Sequence, residues 1–149
     1  MLKNFPVQVD IRKWNYNDAS DIARLNHQWG YPSSVEEINQ RLNELSASAG
    51  HELFVAEADG KLAGWLHVYR HFTMGNDAFA EIGGLVVDVE YRRQGVGKVL
   101  VEKAKSWTKE NNINRLLVRT NVKREESNIF YTKCGFDLAK QQNVFTMQL

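Results

Sequence analysis

The chain has 149 residues, of which 43% are hydrophobic and 25% charged, a composition that excludes a disordered, collagenous or coiled-coil protein. Its 19 basic and 18 acidic residues leave a formal charge of +1, so no global charge favours nucleic acid or an acidic membrane surface. No apolar run approaches the roughly 20 residues of a membrane span, and residues 1–10 lack the apolar core of a secretion signal. The single cysteine, Cys134, cannot form an internal disulfide, which fits a reducing compartment. We therefore expect a cytoplasmic protein with one domain over residues 1–149, because no linker interrupts the chain.

The first third of the chain predicts one strand and two helices. Residues 7–11 alternate apolar and polar side chains, which is the period of a half-buried strand. Asn17 and Asp18 are favoured helix-capping residues, and the helix after them cannot continue through the Gly-Tyr-Pro of residues 30–32. The Ser-Val-Glu-Glu run that begins at Ser34 is a capping box, so a second helix begins there.

The middle of the chain predicts three strands. Residues 51–58 and 61–72 are apolar-rich runs separated by Asp-Gly at residues 59–60, which is typical of a hairpin turn. A polar loop at residues 73–77 leads to a third apolar run at residues 78–89. We therefore expect neighbouring strands joined by hairpins.

The last third predicts helices that alternate with strands. Residues 95–111 carry apolar side chains on one helical face, and residues 115–120 form a short apolar run. Residues 124–133 predict a short helix that ends at Gly135, and residues 136–149 fit two short strands. Because helices interleave with strands while hairpins also occur, we expect a mixed sheet in a domain of the α+β (mixed α/β) class.

A glycine-containing turn lies between a predicted strand and an amphipathic helix, at residues 92–98 (Arg-Arg-Gln-Gly-Val-Gly-Lys). Backbone N–H groups at a helix start lack intrahelical partners, and the helix dipole favours anions there. Gly95 and Gly97 have no side chains to keep a phosphate from these amides. Arg92 stands where a P-loop needs its first glycine, and Leu100 stands where a dinucleotide fingerprint needs its third. The residues therefore predict a phosphate or pyrophosphate site of another kind.

The pattern Arg92-x-x-Gly95-x-Gly97 after an apolar strand and before a helix resembles the acetyl-CoA motif of the GNAT N-acetyltransferase superfamily. Residues 129–136 (Ile-Phe-Tyr-Thr-Lys-Cys-Gly-Phe) resemble the second signature of that family, and the two signatures stand in the family's order. The resemblance covers residues 80 to about 137. It implies a central mixed, mostly antiparallel sheet of about seven strands flanked by about four helices.

The resemblance also implies acetyl-CoA as the acyl donor, bound beside this turn. The amides of residues 94–98 are implied to hold the pyrophosphate, and residues 85–87 to pair with the pantetheine arm like an added strand. Gly83 and Gly84 favour such a slot independently, since paired glycines in a strand mark a bulge or a close backbone approach. The alternative is that they only make room for core side chains. The implied cofactor-binding residues are Leu85, Val86, Val87, Arg92, Arg93, Gln94, Gly95, Val96, Gly97, Lys98 and Asn128.

Two residues are implied to carry catalysis. Glu81 stands eleven residues before Arg92, a spacing at which some family members place a general base; the alternative is a solvated strand residue. Tyr131 matches the family tyrosine that donates a proton or hydrogen bond to the coenzyme A sulfur; the alternative is a packing role. Cys134 has no histidine nearby in sequence and is expected to be an inert thiol, so the expected route is direct attack in a ternary complex. The four histidines lack metal-ligand spacing, and we expect no metal.

The leading hypothesis is an acetyl-CoA-dependent N-acetyltransferase that acts on a primary amine of a small molecule or peptide. The alternative, from a different class, is a non-catalytic acyl-CoA-binding or regulatory domain on the same fold. Residues 27–31 and 71–77 lie where this fold frames the acceptor pocket, and a homodimer is common among relatives. We expect no membrane partner and no nucleic acid, because Arg92, Arg93 and Lys98 are a local cluster and not a basic face. The sequence names neither the acceptor nor the oligomeric state.

Overall fold

One mixed sheet organises the first part of the chain in the computed structural model, which describes residues 8–149. Contacts divide the chain into two compact units, one ending at Arg119 and the other running over Thr120–Leu149. The first unit contains five strands in the order β1-β2-β3-β4-β5 and three α-helices; the second contains the helix α4. The elements are β1 (Asp10–Lys13), α1 (Ala19–Trp29), α2 (Val35–Ala47), β2 (His51–Ala58), β3 (Lys61–Thr73), β4 (Asn76–Val87), α3 (Val96–Glu110), β5 (Leu116–Val118) and α4 (Glu125–Lys133).

The sheet is antiparallel from β1 to β4, and β5 joins β4 in parallel. The β2–β3 hairpin turns at Asp59 and Gly60, whose φ angles of 54° and 79° are both positive. Such paired positive angles match the right-handed twist of the flanking strands, which is why Asp-Gly favours this turn. The predicted mixed, mostly antiparallel sheet is thus confirmed.

Two helix ends lie where their capping residues predict, the start of α2 and the end of α1, whereas Asp18 at the start of α1 makes no side-chain cap hydrogen bond. Ser34 Oγ accepts a hydrogen bond from the Glu37 N–H at 3.1 Å, and Glu37 accepts one from the Ser34 N–H at 3.3 Å, so the capping box opens α2. Gly30 ends α1 with a φ of 94°, a left-handed conformation that glycine adopts without strain. In α3, Val101 is buried whereas Val99 is 42% exposed, so the predicted apolar face is rotated slightly about the helix axis.

Helices cover both faces of the sheet in the first unit. The buried side chains of α1 and α2 pack with residues of β2, β3 and β4 into one core. On the other face, Gly64 of β3 lies so close to Val86 and to Leu100 of α3 that a Cβ would stand 2.7 Å from the Val86 carbonyl oxygen. No helix within residues 8–149 is both long enough and apolar enough to cross a membrane. The sheet therefore lies between α1 and α2 on one face and α3 on the other.

The prediction of about seven strands is wrong, because the described residues form five. Residues 138–149 contain no strand, and apolar side chains such as Val144 and Phe145 are 89% and 90% exposed there. A strand gains stability from ladder hydrogen bonds and from the burial of one face, and this segment shows neither. The prediction of two short strands in residues 136–149 is therefore wrong. Val7, part of the predicted first strand, lies outside the described residues.

A buried carboxylate ties α1 to the end of β4. Asp88 is 1% exposed, and it accepts hydrogen bonds from the Arg24 guanidinium and from the Glu90 N–H at 3.0 Å. Arg24 also donates to the carbonyl oxygen of Leu62 at 2.9 Å. Burial alone would raise the pKa of Asp88, but the Glu90 N–H and Arg24 together hold it below its ordinary value. Asp88 therefore fixes the point at which the chain leaves the sheet toward residues 92–98.

Replacing Asp88 by Asn is expected to lower the free energy of unfolding at pH 7 by about 2 kcal/mol, since it leaves the partly buried Arg24 with Asp21 as its remaining ion-pair partner. A carboxyl with a lowered folded-state pKa stabilises the fold above its unfolded pKa of about 4, and that contribution is lost as the pH falls through the folded value. The difference between the two proteins should therefore shrink below about pH 4. Urea unfolding at pH 7 and pH 3.5 measures this, with the exposed Asp77→Asn as the control. A difference independent of pH would contradict it.

Candidate active site

An edge of β4 is left without a ladder partner where the cofactor slot is predicted. β5 pairs with β4 only at Ala80, Glu81 and Ile82. Within residues 8–149, no strand pairs on that side with residues 85–87. The register of β3 against β4 also shifts here, because His67 lies opposite Gly84 and Val68 opposite Ile82. Gly83 is the extra residue of this bulge, so β4 is distorted at the point where its pairing with β5 stops.

The space beside the two glycines of this bulge is occupied by aromatic side chains. A Cβ on Gly83 would stand 2.9 Å from the His67 Nδ1 atom and 3.1 Å from the Tyr69 ring. A Cβ on Gly84 would stand 2.8 Å from the Trp65 ring. The glycine pair therefore serves both readings of the sequence, since it forms the bulge and makes room for these rings.

The turn before α3 presents backbone N–H groups, as the sequence predicts. Gly95 is the N-cap of α3 and has a φ of 85°, and Arg93 has a φ of 62°. The Val99 N–H donates to the Gly95 carbonyl oxygen at 3.0 Å and closes the first helical turn. The N–H groups of residues 96–98 precede that bond, so helix geometry gives them no intrahelical acceptor. Arg92, Arg93 and Lys98 have exposed side chains beside these groups. The arrangement suits an anion.

Glu81 is buried at the end of the β4–β5 pairing. It is 7% exposed, and the Nε atom of Arg119 lies 3.3 Å and 3.4 Å from its two carboxylate oxygens. Tyr69 stands opposite Glu81 in the sheet. Burial, followed by the Glu81 charge, raises the pKa of Tyr69, so its hydroxyl stays protonated at neutral pH. The alternative of a solvated strand glutamate is therefore wrong.

The sequence did not single out His51, His67, Tyr69 and Arg119, which surround Glu81 and the bulge. The His51 Nδ1 and His67 Nε2 atoms lie 2.9 Å apart, and both rings stack on Tyr69 with centroids 4.9 Å and 5.4 Å away. Burial, with a smaller effect of His51, lowers the pKa of His67 to about 4, so its ring is neutral at neutral pH. The sequence signal that could have indicated His67 and Tyr69 is the alternation His67-x-Tyr69-x-His71 along β3, because alternate strand residues share a face.

The second unit carries the other two predicted site residues. Tyr131 packs edge to face on Phe130 and Phe136, with ring centroids 5.0 Å and 5.6 Å apart. Burial, followed by the nearby Cys134, raises the pKa of Tyr131 to about 12. Asn128 accepts a hydrogen bond from the Thr120 hydroxyl, and the Cys134 side chain is buried. The roles of Tyr131 and Asn128 stay predictions, as does direct attack without an acyl-cysteine.

Residues 27–31 and 71–77, predicted to frame the acceptor pocket, contribute aromatic side chains, and Trp29 lies near the bulge at Gly84. Trp29 packs edge to face on Trp65 with ring centroids 5.7 Å apart, and the ring centroids of Trp29 and Tyr31 are 4.6 Å apart. His71 packs on Phe79 at 4.8 Å. Across residues 8–149, no group of three or more His, Cys, Asp or Glu side chains is arranged to hold a metal ion.

The family and three similar proteins that match this chain are all named as acetyltransferases. The family described as "Acetyltransferase (GNAT) family" matches residues 16–136. An aminoglycoside N(6′)-acetyltransferase type 1 of Stenotrophomonas maltophilia is 23% identical over 143 residues, with 93% of each chain covered. A probable N-acetyltransferase 14 of Danio rerio is 27% identical over 103 residues, which cover 69% of this chain and 34% of that protein. Aminoglycoside N-acetyltransferase AAC(6′)-Iy, solved with CoA, gives a TM-score of 0.85 at 18% identity, over 99% of this chain and 100% of that one.

The chain belongs to the GNAT acetyltransferase family, because the family match extends over most of its length. It spans about a third of the Danio rerio relative and nearly all of the Stenotrophomonas maltophilia relative. The resemblance drawn from the two sequence signatures is thereby confirmed.

Proposed function

We propose that the chain is an acetyl-CoA-dependent N-acetyltransferase that transfers an acetyl group to a primary amine of a small molecule or peptide by direct attack in a ternary complex. The observation that carries the proposal is the unpaired β4 edge at residues 85–87, which lies a few residues before the glycine turn of α3 and just after the buried Glu81. A free strand edge and a free helix start are what an amide-containing arm and a pyrophosphate need. The CoA-bound relative of the same fold supports this choice of donor.

The residues of the turn would hold the donor by its phosphates. The amides of residues 96–98 would donate hydrogen bonds to the pyrophosphate oxygens, while Arg92, Arg93 and Lys98 add positive charge around them. Val87 and its neighbours would offer main-chain groups to the pantetheine amides, in the manner of an added strand. The bound donor supplies a thioester carbonyl, which is open to attack by an amine.

Glu81 and Tyr131 would move the two protons of the reaction. The amine nitrogen attacks the thioester carbonyl carbon, the C–N bond forms, and the C–S bond breaks. Glu81 accepts the proton that the amine must lose, directly or through a water. Tyr131 donates a proton or a hydrogen bond to the departing thiolate, and its raised pKa keeps that proton available across the physiological range. No covalent role falls to Cys134.

Steady-state turnover of acetyl-CoA against a panel of amines tests the proposal. Turnover with initial-velocity lines that intersect supports a ternary complex, whereas parallel lines would indicate an acyl-enzyme. Binding of acetyl-CoA without turnover on any amine would instead support the alternative of a non-catalytic acyl-CoA-binding or regulatory domain. The panel contains neutral, anionic and polycationic amines, since the aminoglycoside acetyltransferase relatives act on small-molecule amines of the last kind.

Replacing Tyr131 by Phe is expected to lower kcat about tenfold, a modest effect because a thiol of pKa about 8.5 is already a good leaving group as the thiolate. Since the pKa of Tyr131 is about 12, its ionisation should cause no loss of kcat between pH 7 and pH 10. The pH profile of kcat measures both effects, with the remote and exposed Tyr16→Phe as the matched control. An unchanged kcat in the Tyr131 variant would remove its assigned role.

A further inference from the structure

The sheet face around Glu81 combines one buried carboxylate with two arginines. Tyr69 of β3 and Leu117 of β5 are both register partners of Glu81, so their side chains share its face. Arg115 and Arg119 flank Leu117 by two residues on either side and therefore share that face too. Their contacts agree with this placement: Arg119 pairs with Glu81, and the Arg115 guanidinium lies 5.3 Å from the centroid of the Phe79 ring.

The two partners of the Glu81–Arg119 pair differ in how far they reach solvent. The Glu81 side chain is 9% exposed, whereas the Arg119 side chain is 54% exposed. The Glu81 side chain is thus buried, whereas about half of the Arg119 side chain is in contact with solvent. An acceptor amine at Glu81 would therefore lie close to Arg119, whose Nε atom is within 3.4 Å of both carboxylate oxygens.

The charges of this face disfavour an acceptor with several ammonium groups. The next acid along β4, Asp77, is four residues from Glu81, or about 13 Å along the strand. Arg119 lies beside the Glu81 carboxylate and would repel a second cationic group of an acceptor held there, since like charges repel. A carboxylate or phosphate on the acceptor would instead be attracted by the guanidinium charge of Arg119.

We propose that Arg119 is a specificity-determining residue that selects amine acceptors carrying an anionic group, a carboxylate or a phosphate, close to the reacting nitrogen. The proposal rests on the proposed function, since it names the acceptor class of the same site. Under this proposal the chain catalyses the same reaction as its aminoglycoside N-acetyltransferase relative, but its acceptor carries a negative charge.

Matched acceptor pairs test the proposal in the wild-type protein and in Arg119→Gln. β-Alanine is compared with its amide, and glucosamine 6-phosphate with glucosamine, so the carboxylate and phosphate arms are separate; kanamycin is the polycationic acceptor. The measured quantity is the ratio of kcat/KM within each pair, because damage to Glu81 affects both members and cancels. The wild type should favour the anionic member of at least one pair by about tenfold, the value of one charge-assisted contact. That ratio should approach one in Arg119→Gln, through KM, and partly return in Arg119→Lys.

The exposed Arg70→Gln removes the same charge from the opposite face of the sheet, because Arg70 adjoins Tyr69 on β3, and it should leave the ratios unchanged. Equal ratios in wild type and Arg119→Gln, or kanamycin as the best acceptor, would overturn the assignment of Arg119 while leaving the acetyltransferase intact. Absence of turnover on every acceptor would overturn the proposed function itself, and this assignment with it. If Arg119→Gln does not fold, the wild-type and Arg119→Lys ratios decide the matter.

Discussion

Replacing Glu81 by Gln is expected to lower kcat/KM for the acceptor amine by about 10²- to 10³-fold, because the amide cannot accept the proton that the amine must lose. The amide has nearly the shape of the carboxylate and keeps an oxygen that can accept a hydrogen bond, so the fold should tolerate the change. The loss should lie mainly in kcat, since the proton moves in the transition state and not on binding. Stopped assays of acetyl-CoA consumption measure it.

Glu52→Gln is the matched control for this variant. Glu52 is also a strand glutamate with a largely buried side chain, 16% exposed, and it is ion-paired to Lys13 on β1. Its neutralisation should leave kcat within about twofold of the wild type, because Glu52 lies opposite Val68 and Glu81 opposite Tyr69, the next residue of β3, so the two glutamates are on opposite faces of the sheet. If both variants lose the same activity, Glu81 is a structural ion-pair partner of Arg119 and not a base.

Replacing Gly97 by Leu is expected to raise the Kd of acetyl-CoA at least about a hundredfold, because the side chain would cover N–H groups at the start of α3. Losing two charge-assisted hydrogen bonds of about 1.5 kcal/mol each corresponds to about that factor. Calorimetric titration of acetyl-CoA measures the Kd directly, without relying on turnover.

Val99→Leu places the same side chain two residues further along α3, at a position 42% exposed, and should bind acetyl-CoA as the wild type does. Because Gly97 is buried, the melting temperature of each variant without ligand is measured as well, and Gly97→Ala replaces a Leu variant that does not fold. Wild-type affinity in a folded Gly97→Leu variant would show that the turn does not hold the phosphates.

Local signals in the sequence predicted most of the first unit. The capping box at Ser34, the Asp59-Gly60 turn and the helix stop at Gly30 are set by residues within a few positions of one another, so no distant contact is needed to predict them. The turn at Gly95 belongs to the same kind, since a left-handed N-cap and a free helix start follow from local geometry.

Contacts between distant residues could not be predicted in the same way. Arg119 and Glu81 are 38 positions apart, and they meet only because β5 pairs with β4 in parallel at this register. The sequence does not fix that register, since a shift of one residue moves every side chain to the other face. The two strands predicted in residues 136–149 do not form for a related reason: a strand needs a ladder partner elsewhere in the chain, and the local sequence does not specify one.

The melting temperature with and without acetyl-CoA, with ATP and NAD as controls, tests the central claim most directly. A ligand at about 100 times its Kd adds roughly 2.7 kcal/mol to the free energy of unfolding, which for a chain of this size is a rise of roughly 5 to 10 °C. A rise with acetyl-CoA alone, lost in Gly97→Leu, is the predicted result. No rise with acetyl-CoA, or an equal rise with all three ligands, would contradict an acyl-CoA site at the β4 edge and the α3 turn.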